Sequence, residues 1–222
     1  MKEHINKISQ TALFHGIKAD DLMPMLTCLG SYIRNYKKGE FVFLSNDSIH
    51  SIGVILEGTI HMIKEDIWGN KTILTFIKNG ELFGETFACG SQLNSVVSFY
   101  AATNCKILFM PFHKILHSCN MSCIFHHRLI ENMVQLIADK NTQLMEKIEI
   151  TSKKSLREKI LTYMSIQAQF HQSNYFEIPL GRLELADYLC ANRSALTREL
   201  NNMKQEGILD FEKNRFHLLK KN

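Results

Sequence analysis

The chain has 222 residues, 45% of them apolar and 22% charged, a balance that excludes a disordered chain and suffices for one large core or two ordinary ones. No apolar run approaches the ~20 residues that cross a bilayer, and the opening MKEHINKISQTALF has no signal-peptide core, so a cytoplasmic protein with no membrane partner is expected. The net charge of +4 is uneven: residues 1–150 carry 14 basic and 14 acidic side chains, residues 151–222 carry 12 and 8, so the excess lies in the last third and points to a polyanion there.

Residues 12–31 read as short helices, from ALFHGI through ADDLMPMLTCLG, with Asp20 or Asp21 capping the second. From Ser31 the texture changes to short β-branched and aromatic runs. They are cut at Lys38-Gly39, Asn46-Asp47, Glu57-Gly58, Gly69-Asn70 and Asn79-Gly80, and VVSFYAATNCKILFMPF adds two more. This predicts a small closed antiparallel roll or barrel of about eight strands over residues 31–111, closure removing exposed edges.

Pro111 ends that regime. HKILHS gives one turn of helix, and residues 121–149 read as a single long helix. Ile130, Ile137 and Leu144 stand seven apart; Val134, Asn141 and Ile148 form a second row with the same spacing. Together they make a heptad seam. Pairing with the same helix of a second copy would bury it and produce a C2 homodimer, with Asn141 favouring one register. The alternative is that the stripe packs on its own roll.

A polar joint, TSKKS, leads to the amphipathic LREKILTYMSIQAQ, with Leu156, Ile160, Leu161 and Met164 on one side. A loop and short strand follow at HQSNYFEIPLG. Then come two helical patterns in LGRLELADYLCANRSALTRELNNMKQEGIL. Leu183, Leu185, Ala186 and Leu189 form the apolar face of the first, which starts at about Gly181 or Arg182. Asn192 caps the second, whose apolar face is Leu196, Leu200 and Met203. Helix, short turn, helix is the helix-turn-helix unit, and ILDFEKNRFHLL completes it as a two-strand wing turning at Glu212-Lys213-Asn214.

Off the apolar face stand Arg193, Ser194, Thr197, Arg198 and Asn201, with Asn192 and Lys204 at the ends. An arginine fork can bond both acceptors of guanine, and Ser, Thr and Asn can read other base edges or hold phosphates. Double-stranded DNA is therefore the expected partner. Glu199 tempers the positive field, and a glutamate partner for Arg193 or Arg198 is the competing structural reading.

At these residues the chain resembles the bacterial regulators that include the cyclic-AMP receptor protein and the fumarate-nitrate reductase regulator, the Crp/Fnr family. The carrying motifs are the segment from Leu180 to Leu209, ITSKKSLREKILTYM before it, and GELFGE at Gly80 to Glu85. The resemblance implies an α+β chain: a cyclic-nucleotide-binding-like antiparallel β-roll over 1–118, a dimerisation helix over 119–150 and a winged helix-turn-helix over 151–222. It implies a homodimer that regulates transcription from a near-palindromic site, with RNA polymerase as a further partner of an activator. Arg193 matches an arginine that the cyclic-AMP receptor uses on DNA, and Arg198 one common to both family types. Ser194 stands where both place a base-reading glutamate.

The sensor half departs further. Cyclic-nucleotide binders carry an Arg-Ser pair after the GE…GE segment to hold the cyclic phosphate. Here the stretch reads GSQLNSVVSFYAAT, and the matching positions are Ser95 and Val96. Gly84 and Glu85 keep the start of the pocket, but no cation stands beside them in the sequence. Binding of cyclic AMP or cyclic GMP is therefore expected to be absent. The effector is another small molecule of unknown identity, or there is none and the regulator is constitutive. The redox branch of the family uses an N-terminal cysteine cluster; nothing precedes Cys28, so no iron–sulfur centre of that type is expected.

Six cysteines without a signal segment read as thiols in a reducing compartment. One group stands out in FHKILHSCNMSCIFHHR. Cys119, Cys123 and His127 share i,i+4 spacing, as do His113 and His117, a donor set suited to zinc, iron or haem, or to a reactive thiol. The CxxC spacing of strong zinc sites is missing, and ordinary packing is the competing reading; no metal or cofactor is assigned. No histidine sits in a catalytic frame and no glycine-rich phosphate loop is present, so an enzyme is not expected.

Overall fold

The computed structural model describes residues 2–117 and 124–219. It divides into two compact units, Met1–Ile137 and Ala138–Asn222, with the boundary inside the long helix.

The first unit starts with single helical turns at Lys2–His4 and Ala12–Phe14 around α1 (Ile5–Ser9), then α2 (Ala19–Cys28). Asp20 and Asp21 do not cap α2. They lie inside its first turn, Lys18 holds the cap position without a side-chain bond, and the two carboxylates act on the positive end of the helix instead. Eight strands follow: β1 (Tyr32–Tyr36), β2 (Phe41–Phe43), β3 (Ser51–Glu57), β4 (Ile60–Glu65), β5 (Lys71–Ile77), β6 (Leu82–Phe83), β7 (Ser98–Ala101) and β8 (Cys105–Pro111), with α3 (Glu85–Ala88) between β6 and β7.

These strands do not close into one barrel. They form two four-stranded antiparallel sheets, ordered β1-β8-β3-β6 and β2-β7-β4-β5. Aromatic rings join the sheets: Phe43 and Phe99 come from one, Phe83 and Phe109 from the other, with centroids 5.3 Å apart for Phe83–Phe99 and 5.9 Å for Phe43–Phe109. Tilted and edge-on packing of this kind adds to the burial of four large side chains. Gly53 on β3 makes room for it, since a Cβ there would fall 2.2 Å from the Phe83 ring. The outer strand β5 stays largely exposed, and the hairpin tip presents Ile67 and Trp68 to solvent.

After α4 (Phe112–Leu116) comes α5 (Ile124–Thr151). In the first unit it buries His126, Leu129, Asn132 and Met133, and the Asn132 amide donates to the carbonyls of Leu13 and His15 at 2.9 and 2.8 Å. Both readings of the seam hold for part of it. Ile130 and Ile137 pack partly against the roll, whereas Val134, Asn141, Leu144 and Ile148 are exposed, the three apolar ones by 58%, 62% and 65%.

In the second unit the end of α5 buries Ile150 and lays Lys147 over the Tyr188 ring at 4.6 Å. α6 (Leu156–Phe170) opens with a capping box: the Ser155 hydroxyl accepts from the Glu158 amide, and the Glu158 carboxylate accepts from the Ser155 amide. Then come β9 (Tyr175–Glu177), α7 (Arg182–Tyr188), α8 (Arg193–Gln205), β10 (Leu209–Glu212) and β11 (Arg215–Leu218), the strands ordered β10-β11-β9. The core is Ile160, Met164, Leu185, Leu189, Leu196, Leu200, Met203, Leu209 and Phe216. Leu183 is not part of it; it points outward and is 57% exposed, because the turn of α7 that packs on α8 carries Leu185, Ala186 and Leu189.

Candidate nucleic-acid interface

The turn between α7 and α8 is short because its backbone closes on itself. Cys190 takes the left-handed conformation at φ 51°, and the Ala191 amide donates back to the Ala186 carbonyl at 2.9 Å. Asn192 then caps α8, its Oδ1 accepting from the Ser194 amide at 2.8 Å. With Leu196, Leu200 and Met203 fully buried, the opposite side of α8 must face solvent. There Arg193, Ser194, Thr197, Arg198, Asn201 and Asn202 line one open concavity of 560 Å³.

This brings together the five central residues of the sequence reading and adds Asn202. Neither Arg193 nor Arg198 makes an ion pair among the described residues, so the glutamate-partner reading fails for both. Thr197 donates its hydroxyl proton to the Arg193 carbonyl at 3.0 Å and keeps its lone pairs as acceptors, the state that can receive an amino group of adenine or cytosine. The first turn of α8 contains no acidic residue, which leaves the positive end of the helix dipole unopposed.

Three flanking residues have other engagements. Asn192 is spent on the cap. Lys204 turns to the wing, pairing with Asp210 at 2.5 Å and lying over the Phe211 ring at 5.4 Å. Glu199 is held by Arg157 of α6, and one guanidinium shared by two carboxylates leaves a net negative charge on this flank: Arg157 Nε donates to Glu199 at 2.6 Å, and its two terminal nitrogens donate to the two oxygens of Glu206 at 2.7 Å each. Glu206 and then Glu199 raise the pKa of Arg157 above its ordinary value, so it is always charged. Nothing in the helical pattern singled out Arg157. The available signal was the pair Glu199 and Glu206, seven apart on one flank of α8 and in need of a cation.

A second cation anchors the wing. Arg182 sits over Phe211 and Phe216 at 4.9 and 5.7 Å and donates to the Lys213 carbonyl at 3.2 Å. Burial lowers its pKa. Lys213 itself stands at the wing turn, at φ 53°, exposed.

In the roll, Gly84 takes φ +79° at the start of α3, where a side chain would be strained, and Glu85 opens that helix almost fully buried. Ser95 is completely buried, but its hydroxyl is committed to its own turn, donating to the Val97 carbonyl at 2.7 Å and accepting from the Val97 amide at 3.3 Å. Val96 is 45% exposed. One cation does reach this stretch, from outside it in sequence: Lys64 of β4 donates to the Val96 carbonyl at 2.7 Å. A separate open concavity of 380 Å³, lined by residues including Lys37, Glu40, Glu57 and Lys106, shares no residue with these positions.

Of the Cys/His group, Cys119 and Cys123 lie outside the described residues. His113 and His117 are exposed, with His117 Nδ1 2.8 Å from the His113 carbonyl. His127 is exposed; His126 is the buried neighbour, neither ring nitrogen hydrogen-bonded among the described residues, and burial, then His127, lowers its pKa. Among the described residues no three His, Cys, Asp or Glu side chains form a metal-binding group, and no helix is long and apolar enough to cross a membrane.

Comparison with known proteins fits this geometry. The cyclic nucleotide-binding domain matches residues 33–121 and the Crp-like helix-turn-helix domain residues 158–222. The transcriptional activator protein FnrA of Stutzerimonas stutzeri is 23% identical over 184 residues, covering 81% of this chain and 73% of that protein. The HTH-type transcriptional regulator ArcR of Staphylococcus epidermidis is 23% identical over 208 residues, covering 90% and 86%. Among solved structures, the c-di-GMP responsive regulator CLP of Xanthomonas campestris shares the fold with a TM-score of 0.59 at 16% identity, covering 92% of this chain and all of that one. A CooA mutant of Carboxydothermus hydrogenoformans gives 0.59 at 17% identity, covering 87% and 86%.

Proposed function

The chain belongs to the Crp/Fnr family of DNA-binding transcription regulators, and from that premise we propose that it works as a homodimer on a near-palindromic operator, reading each half-site with α8. It is a transcription factor and not an enzyme. The observation that carries the reading is the exposed face of α8: six polar side chains on one side, both arginines without an ion pair among the described residues. An α-helix fits the major groove, and two arginine forks can bond guanine O6 and N7 or the flanking phosphates. Thr197, Asn201 and Asn202 supply further acceptors and donors, and Ser194 supplies a hydroxyl.

Pairing along α5 supplies the second half-site. Val134, Leu144 and Ile148 are large apolar side chains left in water, with Asn141 in the row of Val134 and Ile148. A second α5 would cover them, and two-fold symmetry then sets half-sites about 34 Å apart, one turn of duplex. Regulation through the roll requires a ligand with different affinities for two orientations of the DNA-binding unit.

Cyclic mononucleotides are not that ligand in this reading. Ser95 occupies the arginine position with its hydroxyl spent on Val97, and Val96 occupies the serine position. Lys64 is engaged with a backbone carbonyl. A buried phosphate would lack its fitted counter-charge. The test begins with selection of binding sites from a random-sequence DNA library, followed by mobility shift. A two-fold symmetric consensus supports the proposal, and failure to enrich any sequence refutes it. Titration calorimetry with cyclic AMP and cyclic GMP tests the second part; micromolar binding of either would contradict it.

A further inference from the structure

Arg157 binds both carboxylates on the flank of α8 from the first turn of α6. Its three donating nitrogens reach Glu199 near the middle of α8 and Glu206 just beyond its end. Two fixed points along one helix constrain both its position and its rotation, which one contact cannot do. The guanidinium fork is planar and rigid, so its bonds to Glu206 are directional. Arg157 is also the second residue of α6, in the first turn after the joint at residues 152–155 that ends in the Ser155 cap. Position information from that joint thus has a direct polar link to α8.

Resting on the DNA-binding reading above, we propose that Arg157 is a positioning residue for operator recognition: it fixes the pose of α8 so that Arg193 and Arg198 meet base edges. The flank it holds lies beside the recognition face and does not overlap it. Glu199 follows Arg198 directly in the chain, yet their side chains leave the helix roughly 100° apart, as the helical repeat requires. Arg157 therefore needs no contact with DNA to affect which sequence is read.

Charge and position make opposite forecasts for one variant. Replacing both carboxylates, Glu199→Ala with Glu206→Ala, removes two negative charges from a DNA-facing module. If charge alone mattered, specific and non-specific DNA would both bind more tightly. If the clamp positions α8, non-specific binding strengthens while operator binding weakens. The ratio of the two is then expected to fall about tenfold, the scale of one misplaced charge-assisted contact. Arg157→Lys keeps the charge but cannot form the fork, and the same ratio should fall about threefold, with non-specific affinity unchanged.

The experiment measures operator and random-sequence affinity by fluorescence anisotropy for the full chain, the two variants and Arg198→Ala, with circular dichroism melts to establish that each is folded. The operator is the site selected by the parent chain. A specificity ratio within twofold of the parent in both folded variants overturns the positioning role, as does a parallel gain or parallel loss on the two DNAs. A parent chain that selects no site, or an Arg198→Ala variant that binds like the parent, overturns the DNA-reading face of α8 itself, and the inference about Arg157 with it.

Discussion

The two units treat their polar side chains in opposite ways. In the helix-turn-helix unit, one side of α8 is sealed by Leu196, Leu200 and Met203, and the other is left to side chains with few internal partners. The cations Arg157, Arg182 and Lys204, which do bond internally, lie at the flank and the wing. In the roll, the turn around Ser95 is closed upon itself: Ser95 bonds Val97, and Asn94 bonds Ser48 at 2.6 Å. A turn keeps its shape through backbone conformation and short local bonds. It can therefore lose its ligand-binding side chains without losing the fold, whereas a recognition helix has only its exposed side chains to act with.

Several substitutions would sharpen or break this contrast. The largest effect is expected at the α5 seam. Val134→Glu with Ile148→Glu places charges on the exposed rows and should leave a folded monomer whose operator affinity drops by more than about a hundredfold, since each half-site then binds alone; sedimentation velocity and anisotropy would check it. Next comes Arg198→Ala. It should weaken operator binding about ten- to a hundredfold with the dimer intact, the usual value of a base-reading arginine.

Acid should separate the two units. Burial lowers the pKa of His61 and of His126 from an ordinary 6.5. The unfolded roll therefore binds more protons than the folded one below that value, and roll stability should fall as pH drops through 6.5 toward the lower folded values. In residues 138–222 the lowered carboxyls are Glu158, held by the Ser155 amide, and Asp210, held by Lys204, with ordinary values of 4.5 and 3.8. Their stabilisation is present above those values and lost only as pH falls through the lowered ones. Melting monitored separately in the two units should show the roll weakening from about pH 7 to about pH 5.5 while the DNA-binding unit holds. His126→Phe should reduce that slope.

Two smaller effects follow. Lys204→Ala should leave operator affinity within about threefold of the parent, because an exposed pair with Asp210 contributes little and Lys204 faces the wing. Cys190→Gly should raise the stability of the DNA-binding unit by about 0.5–1 kcal/mol, by relieving a left-handed residue at the α7–α8 turn.

Much of the interface was legible because it is local. Spacings of three and four within residues 192–204 define both faces of α8, and the wing turn at Lys213 follows from strand alternation on either side. The strands of the roll were legible one by one from their Gly and Asn turns. Their division into two sheets was not, because pairings such as β1 with β8 join residues about as far apart as Tyr32 and Phe109. The same limit hid Arg157, 42 positions from Glu199, and Lys64, 32 positions from Val96. Leu183 misled because an apolar residue at helical spacing need not face the core when its neighbours already fill it.

The central claim is that two copies of α8 read one DNA site together. Sedimentation equilibrium of the full chain on its selected operator measures this directly. The account predicts two chains per duplex, with half-sites centred about one helical turn apart. One chain bound per duplex at saturation, with full sequence specificity, would contradict it.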